Sequence, residues 1–159
     1  MQAFEDFLAV NPELRISRAG LDAETRRMLL QANKGMRTLA DIEYKCGVLY
    51  DADENVRYDP DAVKKVLAKG ENAGYEMLKL LLPQLEAVQS WTTAALEAVI
   101  TKICESHSVN MGKVAQPIRV AVTGGTVSPA IYDTLVLLGK EKTVKRIQHC
   151  LSQRAQTVD

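Results

Sequence analysis

Apolar residues in this chain recur at the spacing of a single helical face, and each run is cut by a cap-like polar residue, a proline or a glycine. Leu21, Met28, Leu29 and Ala32 fall at i, i+7, i+8 and i+11, a helix stripe, with Asp22 placed to cap it and Gly35 to end it. A second helix is predicted from Met36 to Val48, with Leu39, Ile42, Cys46 and Leu49 on one face, followed by a polar loop from Tyr50 to Arg57. Asp59-Pro60 reads as a cap followed by proline in the first turn, where its missing N–H has no helical partner to lose. That helix ends at Gly70. The next runs from Ala73 to Val88, with a kink or break expected at Pro83.

The pattern repeats downstream. Ser90-Trp91-Thr92 starts a helix that turns Leu96, Val99, Ile100 and Ile103 inward and ends near His107. Met111 to Val122 holds Gly112, Pro117 and a continuous apolar run, so a strand and a helix piece remain open. A turn at Thr123-Gly124-Gly125-Thr126 precedes a second cap-then-proline signal, Ser128-Pro129, and a helix ended by Gly139. The last helix, from Glu141 to Gln153, is predicted to bury Val144, Ile147 and Leu151 and to expose Lys140, Lys142, Lys145, Arg146 and His149. Only 5% of residues are aromatic, which favours packed helices over sheets. The expectation is an all-α fold of two small helical subdomains, residues 1–90 and 91–159, with a soft boundary near residues 88 to 92.

With 47% apolar and 25% charged residues, the chain suits a packed core rather than global disorder. The formal net charge is zero, but Lys102 to Arg154 contains eight basic residues against three acidic ones. A basic third on a neutral chain fits either a polyanion footprint or a solvated helix face. Cys46, Cys104 and Cys150 have neither zinc-finger nor redox spacing, so free thiols in a reducing cytoplasm are expected. No apolar run is long enough for a membrane span.

Reactive constellations are missing from the sequence. There is no HExxH, Walker loop, GxSxG or GxGxxG, and only two histidines, His107 and His149. Cys104 and His107, three apart, could share a helix face as a nucleophile pair, whereas Cys150 and His149, adjacent in sequence, point apart on a helix. Three readings therefore stand: an RNA-binding module, a helical protein–protein adaptor, and a small enzyme using Cys104 and His107.

The segment from Met111 to Gly124 contains Gly112-Lys113, then Pro117-Ile118-Arg119, then Thr123-Gly124. Ser128-Pro129 follows, and then Leu138-Gly139-Lys140-Glu141 leading to Arg146-Ile147. This succession closely resembles a signature of the glutamyl-tRNA synthetase family, roughly GKxxxPLRxALTG, SP, LLGKExxLxRL. Weaker agreement extends the resemblance to about Lys34–Ser152, and the first thirty residues match less distinctly. The resemblance implies the C-terminal anticodon-binding domain of a class I glutamate–tRNA ligase, built from two helical subdomains. It implies tRNA for glutamate and the catalytic half of the synthetase as partners, with neither membrane nor DNA, in a cytoplasmic monomer. No catalytic, metal or cofactor residue is expected in this domain, because the HxGH and KMSKS motifs of the catalytic half are not in this chain. ATP and magnesium would belong to that half.

By the same resemblance, Arg119, Thr123, Ser128, Pro129 and Ile131 line the anticodon site, with Arg119 the first choice for a base or backbone contact. A planar, permanently charged guanidinium suits an unstacked base edge or a phosphate. Lys113, Lys140, Lys142, Lys145 and Arg146 are candidates for phosphate neutralisation. One departure stands out. Many family members carry, three residues before Thr38-Leu39, an arginine that reads the third anticodon base. Here that position is Gly35. The resemblance then implies weaker rejection of tRNA for glutamine, unless Lys34 or Arg37 compensates.

Overall fold

In a computed structural model, residues 1–157 are described, and they form helices and turns with no strand among them. The order is α1 (Gln2–Val10), α2 (Arg15–Arg18), α3 (Ala23–Ala32), α4 (Ala40–Cys46), α5 (Pro60–Ala62), α6 (Lys69–Glu86), α7 (Thr93–His107), α8 (Met111–Thr123), α9 (Ile131–Leu138) and α10 (Lys140–Thr157). The all-α expectation holds. α1 and α2 had no counterpart in the periodicity reading. They are anchored by Phe4 and Ile16, each 1% exposed, and by Arg15, whose guanidinium bridges Glu43 and Asp51.

The cap signals account for several boundaries. Asp22 accepts the Thr25 N–H at 2.7 Å, Asp59 accepts that of Asp61 at 3.3 Å, and Thr92 accepts that of Ala95 at 3.2 Å. The helix predicted from Met36 begins at Ala40 instead, because the Asp41 carboxylate takes the Arg37 and Thr38 N–H groups into a preceding turn. The polar loop contains a short 3-10 turn, Asp53–Asn55. Beyond α5 the backbone widens into a π-helical stretch, Val63–Ala68. Gly70, Glu71 and Asn72 then take positive φ before α6 proper. Gly74 permits the close approach this needs, since a Cβ there would collide with the Val66 carbonyl oxygen. Pro83 does not break α6, which runs on to Glu86.

The segment left open between strand and helix is α8. Asn110 caps it by accepting the Lys113 N–H at 3.1 Å. Val114, Ala115, Ile118, Val120, Ala121 and Val122 are all buried. A helix covered on most sides loses its polar stripe, which is why its pattern resembles that of a buried strand. α10 lies against α6 and α8, and α9 against α3 and α7. Residues from Phe4 to Cys150 share one buried cluster, drawn from both sides of the 87–92 link.

Candidate nucleic-acid interface

Arg119 sits on α8, four residues before the helix ends at Thr123. Its side chain is half-buried, and its Nε donates to Ser128 Oγ at 2.8 Å. Ser128 Oγ in turn donates to the Pro129 carbonyl at 2.7 Å. The guanidinium therefore lies beside Pro129, on the same surface as the start of α9. No carboxylate bonds to it among the described residues, and burial alone lowers its pKa from the ordinary arginine value. The four terminal N–H donors of Arg119 have no partner among the described residues. A half-buried cation fixed through one nitrogen, with its fork unengaged, has the charge and donor geometry that suit an anion or a base edge.

Thr123 shapes the adjoining loop. Its hydroxyl donates to the Arg119 carbonyl at 2.7 Å and lies 3.1 Å from the Gly125 carbonyl, while the Gly125 N–H returns to it at 3.2 Å. Gly124 takes φ +84°, and its carbonyl accepts the Asp59 N–H at 2.8 Å, which ties the loop to the start of α5.

Three details differ from the sequence expectation. Ser128 does not cap α9, which starts at Ile131 after Ala130, with no side chain capping it. Ser128 is turned toward Arg119 instead. Pro129 is buried and Ile131 is 2% exposed, so their side chains belong to the core, while Ala130 between them is exposed. Thr134 holds the stretch from beneath, its hydroxyl 3.0 Å from Pro129 O and 3.1 Å from Ala130 O.

The phosphate candidates divide sharply. Arg146 is fully buried and is no phosphate ligand. Its Nε meets Asp53 Oδ1 at 2.7 Å, Nη1 donates to the Val48 and Val122 carbonyls at 2.9 Å, and Nη2 donates to those of Leu49 (3.3 Å) and Asp51 (2.8 Å). The inward face of α10 carries Thr143, Arg146, Ile147 and Cys150, so the helix is rotated from the Val144–Ile147–Leu151 face that hydropathy selects. His149, predicted on the exposed face, is half-buried against the Tyr58 ring, centroids 5.8 Å apart. Lys140 donates to the Val88 carbonyl at 2.7 Å, and Lys142 is paired with Asp53 at 3.3 Å. Lys145 is exposed but paired with Glu141 at 2.9 Å. Much of the basic surplus of the C-terminal third is thus engaged within the chain.

Lys113 remains exposed and has company that the sequence reading missed. With Lys65 and Lys69 it lines a cavity of about 490 Å³ between α6 and the start of α8, with no carboxylate in the lining. Gln116 lines it too, and its Oε1 is buried without a partner. Lys65 and Lys69 are far from Lys113 in sequence, and only the packing of the Val63–Ala68 stretch and α6 on α8 brings the three together. Gly35 is exposed in the α3–α4 turn with φ +89°, and a Cβ would meet nothing within 4 Å. The glycine serves the left-handed turn, between exposed Lys34 and Arg37. Cys104 and His107 share no hydrogen bond, and no group of three metal-ligating side chains occurs among the described residues. No helix among them is long and apolar enough to cross a membrane.

Comparison with known families matches residues 2–151 to the anticodon binding domain. The chain belongs to this family. Its similar relatives are glutamate–tRNA ligases: one from Thermus thermophilus is 37% identical over 147 residues, 90% of this chain and 30% of that protein. That of Syntrophobacter fumaroxidans is 39% identical over 116 residues, 73% of this chain and 24% of that protein. The chain thus matches between about a quarter and a third of the length of these relatives. Among solved structures, a glutamate tRNA ligase from Elizabethkingia meningosepticum superposes with a TM-score of 0.76 at 20% identity, over 94% of this chain and 29% of that one. The helical anticodon-binding fold and the resemblance drawn from the Met111–Ile147 signature agree.

Proposed function

We propose that this anticodon-binding domain grips the anticodon loop of tRNA for glutamate and positions it for a catalytic half of the kind its relatives carry. That half would supply the ATP- and magnesium-dependent glutamylation. The observation that carries the reading is the Arg119 guanidinium: half-buried, held by Ser128 and, among the described residues, paired with no carboxylate and open at its terminal nitrogens. Single-stranded loops offer unstacked base edges and close phosphates, and such a fork suits both. Lys113, joined by Lys65 and Lys69, would neutralise backbone charge nearby; the uncapped start of α9 offers N–H groups beside Arg119. The adaptor reading would need an apolar docking face instead, and no observation favours it.

The test is a tRNA titration at two salt concentrations with wild type and Arg119→Ala. Loss of roughly 1–3 kcal/mol of binding free energy is expected from the substitution, and affinity that falls steeply with salt is expected of the wild type. Affinity indifferent to both would overturn the reading. Because Gly35 offers no side chain where the family resemblance implies an arginine, the same titration with tRNA for glutamine is expected to show comparable affinity. A strong preference for the glutamate tRNA would refute that relaxed specificity alone.

A further inference from the structure

Tyr44 is 72% exposed on α4, although its neighbours Ile42 and Cys46 are fully buried. The other four tyrosines, Tyr50, Tyr58, Tyr75 and Tyr132, are all at least partly buried. Tyr44 lines a shallow cavity of about 290 Å³ together with Lys45, Asp59, Thr123, Thr126 and Val127. The cavity adjoins the Arg119 site through Thr123, whose hydroxyl bonds the Arg119 carbonyl while its residue forms part of the cavity wall. The walls come from three distant stretches, α4, the start of α5 and the α8–α9 loop, so nothing in the linear sequence groups them.

Resting on the RNA-binding reading above, we propose that Tyr44 is a stacking platform for a second unpaired base, next to the one met by Arg119. Five features support this occupant. An exposed aromatic face at the rim of a concave site is how single-stranded nucleic acid is held without base pairing. Val127, 46% exposed, adds an apolar wall. The cavity is at the small end of ligand sites, which run from roughly 300 Å³ upward, and so suits one planar ring. Asp59 in the lining disfavours a phosphate there but can accept from an exocyclic amine, as carboxylates do from cytosine. Lys45 stands at the same rim for the phosphate that trails the base. A base bearing an amino group is therefore expected in preference to uracil.

The experiment compares wild type, Tyr44→Ala, Tyr44→Phe and Arg119→Ala in titrations with tRNA for glutamate, alongside thermal unfolding of each. Tyr44→Ala is expected to weaken binding about 5- to 150-fold, the range for losing one stacked base, with an unchanged melting curve because the side chain is exposed. Tyr44→Phe keeps the ring and is expected to bind within about twofold of wild type. In Tyr44→Trp, tRNA should quench the new indole's emission. If Arg119→Ala weakens binding and Tyr44→Ala does not, the stacking proposal falls and the anticodon reading stands. If Tyr44→Ala weakens binding but the indole is not quenched, or Tyr44→Phe is as weak as alanine, stacking is also refuted. If the wild type ignores tRNA, both fall together.

Discussion

Replacing Arg146 by alanine separates a phosphate ligand from a structural clamp. The buried guanidinium donates to four backbone carbonyls, those of Val48, Leu49, Asp51 and Val122, and to the Asp53 carboxylate. These acceptors come from the turn after α4, the following loop and the end of α8. Truncation leaves the carboxylate without its closest cation and takes a donor from each carbonyl, although Val48 O keeps the Asp51 N–H and Asp51 O keeps the Lys142 ammonium. One unsatisfied buried acceptor costs about 1–3 kcal/mol. Four carbonyls and a carboxylate would sum higher, but water can enter the space vacated by the side chain and such terms are not additive. Breaking a buried ion pair from one side, at about 3–5 kcal/mol, is the better guide. Domains of this size have total stabilities of roughly 5–15 kcal/mol, so the variant should be far less stable. Equilibrium urea unfolding measures the effect directly. The mechanism predicts a large fall in midpoint for Arg146→Ala, only partly relieved in Arg146→Lys, whose single ammonium cannot reach all five acceptors. A loss below about 1 kcal/mol, or a stable variant whose tRNA affinity becomes less salt-dependent by the slope of one phosphate contact, would refute the clamp.

Two further outcomes follow from the same geometry. Gly124→Ala should lower stability by roughly 2–4 kcal/mol, combining a left-handed backbone cost of about 1–2 with the overpacking of a Cβ driven into the Arg57 carbonyl oxygen. A thermal midpoint within about 2 °C of wild type, less than a 1 kcal/mol loss would produce, would show that the loop yields. For pH, burial alone would raise the Asp53 pKa, but hydrogen bonds and charge from Arg146 and Lys142 outweigh it and leave it lowered. A carboxylate with a depressed folded pKa stabilises above its unfolded value, near pH 4, and loses that contribution as pH falls through the folded value. Unfolding midpoints between about pH 5 and 2 should therefore fall more steeply for wild type than for Asp53→Asn; parallel profiles would contradict this pairing.

Where the chain folds locally, its residues announce it. Asp22, Asp59 and Thr92 cap helices because their short polar side chains reach a backbone N–H two or three residues on, and Gly139 ends α9 as its position suggests. Other local signals were outvoted. Ser128 has the residue type and the following proline of a cap, yet Arg119, nine residues earlier on a neighbouring helix, takes its hydroxyl. Pro83 stays inside α6, where the pattern suggested a kink or a break.

The sequence by itself determined the helical class, most helix positions, and the Arg119–Ser128 neighbourhood, because these depend on periodicity, caps and a motif contiguous in the chain. Tertiary packing decided which charges are available. Hydropathy assigns Arg146 to solvent, but five acceptors gathered from three segments make the interior the better place for its charge. Packing likewise joined Lys65 and Lys69 to Lys113, and brought Tyr44 to Thr123. A side chain's free energy depends on the partners that surround it, and residues tens of positions apart become partners only when helices pack.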